Sequence, residues 1–339
     1  MRRLRVVLTG GTGFIGSRVL RRLLDPEPAD RLIEVRALAR NGAPQSATPQ
    51  LSWVAADLTR QASLAGVGEG ADVLIHLASR TTSSEDECTA VNVHGTAALL
   101  EEARRCGVGR IIQLSTSAVY GPGPHRGITV NEVVPAPVSP ASRTRLLGEQ
   151  AAVGAGGTVL RPGLVTGAGD RWVVPALAGL LEQLPALWNG GRGLVSMVDV
   201  DDLARLIVRL ALMPDKPTSG IFHASHPRPV RNRDLMTTLG GLGVLPLATA
   251  DWSWQACLQH LRRSPGGVSE RQFALLAGDH WYRSDDIWRI AECPAGPGPL
   301  AQLPAAAPWY KAHLRRTPWN APCVERGEPW HPRDPGARG

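Results

Sequence analysis

A chain of 339 residues with 43% hydrophobic and 20% charged residues can bury one large α/β core or two smaller ones, and its composition is that of an ordinary globular protein. No apolar run approaches the roughly 20 residues that span a bilayer, and the stretch after Arg5 breaks at Thr9, Gly10 and Gly11, so no signal-peptide core is read there and the expectation is a cytoplasmic protein without membrane contact. The formal charge of +7 comes from dispersed arginines, with Lys216 and Lys311 the only lysines; without interleaved aromatics this argues against a nucleic-acid partner and fits an anionic cofactor or substrate.

Leu4 to Thr9 is a short β-branched run ending in glycines, and Phe14 to Leu24 places apolar residues at helical spacing, which predicts strand, turn, helix. Further strands are predicted at Ile33 to Leu38, Leu51 to Val54, Val73 to Leu77, Arg110 to Leu114 and Thr158 to Arg161. A helix from Val91 to Cys106 stops at Gly107. Alternating strands and helices of this kind predict a Rossmann-type, doubly wound parallel α/β sheet over residues 1–168. A smaller substrate-binding cap interleaved with that core is expected over 169–322. Within it lie helices at Val173 to Leu184, Val200 to Leu212 and Arg233 to Leu239, and strands near Leu194 to Val198 and Ile221 to Ala224. Trp252, Trp254, Trp281, Trp288, Trp309, Trp319 and Trp330 crowd the last hundred residues; they suggest a cap suited to a large flat ligand. From Cys323 a disordered polar tail is expected. The five cysteines show no C-x-x-C spacing, so no metal site is expected.

Gly10, Gly13 and Gly16 stand in Thr9-Gly-Gly-Thr-Gly-Phe-Ile-Gly, between the first strand and the first helix. That context lets a dinucleotide pyrophosphate reach the exposed N–H groups of the helix start, with Gly10, Gly13, Phe14 and Ile15 as its contacts. An acid at the end of the second strand would hold the ribose 2′-hydroxyl of NAD. Here the strand closes Val35-Arg36-Ala37-Leu38-Ala39-Arg40. With Ala39 at the acid position, and Arg40 and Arg36 able to pair with a 2′-phosphate, the expected cofactor is NADP(H).

Thr9 to Gly16, Asp57-Leu58, His76-Leu77-Ala78-Ser79, Val91-Asn92-Val93-His94-Gly95-Thr96, Leu114 to Gly121, Arg161-Pro162-Gly163 and Val198 to Asp202 together resemble the extended short-chain dehydrogenase/reductase family, the NAD-dependent epimerases and dehydratases. The resemblance runs to about residue 290. It implies that Asp57 and Leu58 meet the adenine, that Leu77, Ala78 and Ser79 line the cofactor, that Asn92 is a structural helix residue, and that Pro162 to Val165 border the nicotinamide. It also implies a small-molecule substrate and a homodimer through helices near Val91 and Arg145.

Members of that family carry a Ser or Thr four residues before the tyrosine of a V-Y-G segment. In Ser115-Thr116-Ser117-Ala118-Val119-Tyr120-Gly121 the place falls to Thr116, with Ser117 as its neighbour, and a hydroxyl there can bond a substrate carbonyl. Tyr120 is expected to pack. The family next needs Tyr-x-x-x-Lys on a helix, where the cation makes the phenol a usable acid or base. The matching segment Ser139-Pro140-Ala141-Ser142-Arg143-Thr144-Arg145 has alanine and arginine instead, and arginine does not release its proton near neutral pH. Arg145 is expected to hold the nicotinamide ribose or a phosphate. Of His76, His125 and His223, which could be proposed as replacement acids, His76 is expected to be packed within the cofactor strand.

Three readings follow. The first is an NADPH-dependent reductase of an aromatic polyketide ketone of angucyclinone type, serving antibiotic biosynthesis, its proton coming from water, Thr116, Ser142 or the substrate's own phenol or enol. The second is a sugar-nucleotide epimerase or dehydratase, whose opening oxidation Ala141 impairs most. The third is an inactive NADP(H)-binding sensor or scaffold.

Overall fold

The structure, a computed structural model, describes residues 3–25, 32–40, 47–214, 219–263 and 268–316; the expected tail, with Cys323, Trp319 and Trp330, lies outside them. Its strands are β1 (Leu4–Thr9), β2 (Ile33–Ala39), β3 (Leu51–Ala55), β4 (Val73–His76), β5 (Arg110–Leu114), β6 (His125–Ile128), β7 (Thr158–Arg161), β8 (Leu164–Thr166), β9 (Ala186–Trp188), β10 (Leu194–Val195), β11 (Met197–Asp199), β12 (Gly220–His223), β13 (Val230–Arg231), β14 (Ala250–Trp252) and β15 (His280–Tyr282). Its α-helices are α1 (Phe14–Leu24), α2 (Glu85–Thr89), α3 (Thr96–Arg105), α4 (Pro140–Gly154), α5 (Val173–Gln183), α6 (Val200–Leu212), α7 (Asn232–Gly241), α8 (Trp254–Arg263), α9 (Glu270–Ala277), α10 (Asp285–Ile290) and α11 (Pro299–Arg316).

Seven strands form one parallel sheet in the order β12-β7-β5-β4-β1-β2-β3. This is the doubly wound Rossmann architecture, and its central strands are fully buried apolar runs because helices cover both faces. Val19, Leu20 and Leu23 recur at helical spacing and turn α1 inward against α6, whose Leu203, Leu206, Ile207 and Leu210 are buried; each such side chain contributes about 1.5–3 kcal/mol. A second core gathers α5, α7, α8, α9 and α11 around Trp188, Phe273 and Tyr310. The small sheet β13-β10-β15-β6 joins three strands of this part of the chain to β6 from the first half.

Two expectations change here. The helix expected over Val91 to Cys106 begins instead as a π-helical segment, Ala90–Gly95, and becomes α-helical only at Thr96. Asn92 is the cause: its side chain clamps the Arg80 backbone, accepting from Arg80 N–H at 2.7 Å and donating to Arg80 O at 2.8 Å, and it donates to Thr144 Oγ1 at 2.9 Å. The predicted strand at Leu194 to Val198 is two strands, broken at Ser196, whose hydroxyl accepts from Tyr282 N–H at 2.9 Å. The C-terminal tryptophans among the described residues make packing contacts. Trp288 enters the core beneath the main sheet, Trp252, Trp254 and Trp309 pack against the second core, and the Trp281 ring fills the space over Gly127.

Candidate active site

A cleft of about 700 Å³ opens at the carboxyl ends of β1, β2, β4 and β5, the place where a doubly wound sheet binds its ligand. The glycine turn forms its floor through close backbone approach. A Cβ on Gly10, whose φ is +72°, would come within 2.8 Å of Ala78 N, and one on Gly16 within 1.9 Å of Gly10 O. Only glycine allows the turn to sit this low, which leaves the start of α1 open to a phosphate. Behind the turn, Thr9 Oγ1 accepts from the N–H groups of Leu77 at 3.2 Å and Ala78 at 3.1 Å. Its own proton is therefore left for His76 Nδ1 at 2.7 Å, and His76 Nε2–H donates to Thr96 Oγ1 at 3.0 Å. Burial, with the Arg145 charge second, lowers the His76 pKa to about 4. His76 is a neutral brace for the cleft wall.

The cleft brings together Gly10, Gly13, Phe14, Ile15, Arg40, Asp57, Leu58, Leu77, Ala78, Ser79 and Arg145. Asp57 accepts from Thr59 N–H at 2.9 Å, and this bond holds its carboxyl below the usual range, with the positive charge of Arg40 adding to the effect. Arg36 is a correction. Its Nη1 donates to Val67 O at 2.6 Å and Glu69 O at 3.1 Å, away from the cleft. It precedes the strand end by three residues, roughly 10 Å at the rise of a strand.

The predicted catalytic segment follows β5. Thr116 is partly exposed, is not among the residues that line the cleft, and caps the short 3₁₀ turn Ser117–Tyr120, accepting from Ala118 N–H at 3.2 Å. Ser117 is buried and is not among the residues that line the cleft. The carbonyl of Pro162 accepts from Ser117 N–H at 2.9 Å. Val165 pairs with Val198 between β8 and β11. Neither Pro162 nor Val165 is among the residues that line the cleft.

On α4, Ala141 and Arg145 are one turn apart on one face. Arg145 Nη2 donates to the carbonyls of Leu114, at 3.3 Å, and Ser115, while its buried Nε has no partner. Burial lowers its pKa to about 10, so it stays charged at neutral pH. Ser142, a suggested proton source, is locked in the capping box that starts α4: its hydroxyl donates to Ser139 O at 3.0 Å.

Glu149, one turn beyond Arg145, begins a buried network that the sequence reading missed. It accepts from Ser115 Oγ and from Arg161 Nε at 3.0 Å and Nη2 at 2.5 Å, the two side chains being 1% and 2% exposed. Arg161 Nη1 donates to Tyr120 OH at 2.8 Å. His223 Nδ1–H donates to Arg283 O at 3.1 Å, so its Nε2 accepts the Tyr120 proton at 2.7 Å. Burial raises the pKa of Tyr120; it packs, as expected, with its phenol fully engaged. His125 is buried beside it, ring centroids 5.8 Å apart.

The cradle below Gly10, the open start of α1 and the unpartnered Nε of Arg145 at the cleft wall fit a nicotinamide dinucleotide. Among the described residues no group of three or more His, Cys, Asp or Glu side chains is placed to hold a metal ion, and no helix is long and apolar enough to cross a membrane.

Comparisons with known proteins agree with this geometry. The profile of the family described as NAD dependent epimerase/dehydratase matches residues 6–224. The 4-hydroxy-2-methyl-3-oxo-4-farnesyl-3,4-dihydroquinoline-1-oxide ketoreductase of Stigmatella aurantiaca is 29% identical over 253 residues, 70% of this chain and 72% of that one. The 2-alkyl-3-oxoalkanoate reductase of Stenotrophomonas maltophilia is 26% identical over 251 residues, 70% of this chain and 74% of the other. Among solved structures, DesIV, the dTDP-glucose 4,6-dehydratase of Streptomyces venezuelae with NAD and TYD bound, superimposes with a TM-score of 0.70 at 23% identity, covering 92% of this chain and 98% of that one.

Proposed function

The chain belongs to the NAD dependent epimerase/dehydratase family, and from that premise we propose that it is an NADPH-dependent ketoreductase acting on an aromatic polyketide ketone of angucyclinone type, with the proton drawn from a hydroxyl of the substrate itself or from water. One observation carries the reading: α4 presents Ala141 and Arg145 where the family's acid-base pair would stand. Reactions that begin by oxidising a hydroxyl must first remove its proton, and they lose most from this exchange. Reduction of a ketone flanked by a phenol or enol loses least, because the neighbouring hydroxyl can protonate the developing alkoxide. The two reductases that match about 70% of this chain support reduction over dehydration.

In this reading the turn at Gly10 and Gly13 and the start of α1 hold the pyrophosphate, Arg40 holds the 2′-phosphate, and Arg145 supports the ribose at the nicotinamide end. When bound, the reduced nicotinamide supplies the hydride equivalent. Thr116, which accepts from Ala118 N–H, donates to the ketone oxygen and fixes its direction. Leu114, whose carbonyl Arg145 holds, lines the cleft and keeps water from the reacting carbon.

The test is NADPH oxidation with 8-hydroxy-1-tetralone, whose phenol lies beside the ketone, against 1-tetralone, which lacks it, alongside a sugar-nucleotide ketone. Turnover of the hydroxylated ketone well above that of its parent is expected. NADPH binding with no turnover of any ketone would move the assignment to a sensor, and preference for the sugar nucleotide would move it to the dehydratases.

A further inference from the structure

We propose that Trp172 is the platform on which the flat ring system of the substrate stacks, so that this one indole selects fused aromatic ketones. The inference rests on the reductase reading and names the part of the cleft that recognises the ring.

Trp172 is half exposed, at 50%, and lines the same cleft as Phe14, Leu114 and Arg145. Of these, Leu114 and Arg145 belong to the part of the cleft that the reductase reading gives to the nicotinamide. Large indoles are normally covered, since they offer more apolar area than almost any other side chain. An indole left open on a flexible loop would fold down onto the protein surface. The backbone that carries this one is tightly held. Asp170 is fully buried, 1% exposed, and its carboxylate accepts from the N–H groups of Trp172 at 2.8 Å, Val173 at 2.8 Å and Val174 at 3.1 Å. It also accepts from Tyr310 OH at 3.0 Å, and Tyr310 OH accepts from Gly167 N–H at 2.9 Å. Arg18 Nη2 donates to Ala168 O at 2.9 Å. Gly169, with φ of +109°, passes so close to Phe14 that a Cβ would stand 2.9 Å from the ring.

The indole is thus open to the cleft on a fixed mount. Preorganisation of this kind lets a flat partner stack without an ordering cost, and aromatic rings favour offset stacking on such a face. A compact or puckered ring system gains little from it.

The experiment measures binding of 1,8-dihydroxyanthraquinone, a flat fused-ring ketone flanked by phenols, to the NADP⁺-loaded full chain by calorimetry. The wild type, Trp172→Ala and Trp172→Phe are compared, with thermal melting of each variant as the control for folding. Trp172→Ala is expected to weaken binding about tenfold or more, Trp172→Phe less than about threefold, and NADP⁺ affinity is expected to stay unchanged in both. The proposal is overturned if the wild type does not bind the anthraquinone, if Trp172→Ala binds it as well as the wild type, or if the variants lose NADP⁺ in equal measure. Binding that depends on Trp172 without reduction of any ketone would sink the reductase reading alone; reduction of hydroxytetralone with the anthraquinone indifferent to Trp172 would sink the platform alone.

Discussion

Arg145 Nη2 donates to the main-chain carbonyl of Ser115, so the cation that replaces the family's lysine grips the strand end immediately before Thr116. The turn bearing the candidate hydroxyl and the helix bearing the charge are one hydrogen-bonded unit. Both bonds leave the one nitrogen Nη2, and the buried Nε stays without a partner.

Arg145→Ala should therefore weaken NADPH binding about tenfold, the loss of roughly one charged hydrogen bond, with Arg145→Lys in between. Fluorescence titration of NADPH checks this, and an unchanged affinity in the alanine variant would remove Arg145 from the cofactor site.

Thr116→Ala should lower kcat by about tenfold to a hundredfold while leaving NADPH affinity within twofold, the mark of an interaction made at the reacting carbonyl. Loss of cofactor binding in this variant would contradict that role.

Arg40→Ala should weaken NADPH and narrow its advantage over NADH, whereas Arg36→Ala should leave the preference untouched because its guanidinium is spent on Val67 and Glu69. Paired affinities for the two cofactors decide it. The placement of Arg36 was available beforehand, since the crevice lies beyond the strand ends and an arginine three residues upstream starts roughly 10 Å short.

Ala141→Tyr should not raise turnover of 8-hydroxy-1-tetralone, because that substrate carries its own proton. A large gain in rate would defeat the substrate-assisted step.

Glu149→Ala strands a buried Arg161 and should cost about 3–5 kcal/mol of stability, while replacing both by leucine should recover much of it. Urea unfolding of the two variants tests this; equal losses would place the damage outside the ion pair. Nothing local in the sequence marks the pair. Glu149 closes a helix turn and Arg161 a strand, and only the sheet order sets them together.

Stability should fall as pH drops from 7 to 5.5. His76 and His223 are held neutral by burial, with pKa lowered to about 4, so between that value and the unfolded 6.5 the unfolded chain binds their protons and the folded chain does not. Each then contributes on the order of 1.4 kcal/mol per pH unit. Asp199, raised to about 6 by burial, and Asp170, raised by burial, act in the opposite sense, and with His280, which burial also lowers to about 4, three histidines outweigh two carboxylates. An unchanged urea midpoint at the lower pH would refute the balance.

The strands and the glycine turn were legible because their causes are local: β-branched runs, helical spacing, and glycines where the backbone must approach Ala78. The π segment at Ala90–Gly95 was not, since it depends on Asn92 clamping Arg80, a partner supplied by the fold. Trp172 was passed over because its loop has no periodicity to mark it, while the abundant C-terminal tryptophans drew attention to a region that uses them as filling.

Tyr310 bonds Asp170 from 140 residues further along the chain. A nascent chain therefore carries an unfinished cleft wall until its last described helix has left the ribosome, and a cofactor that meets the glycine turn early finds the far side of its pocket still unset. A truncation series should show the loss of that brace as a sharp step in melting temperature at Tyr310.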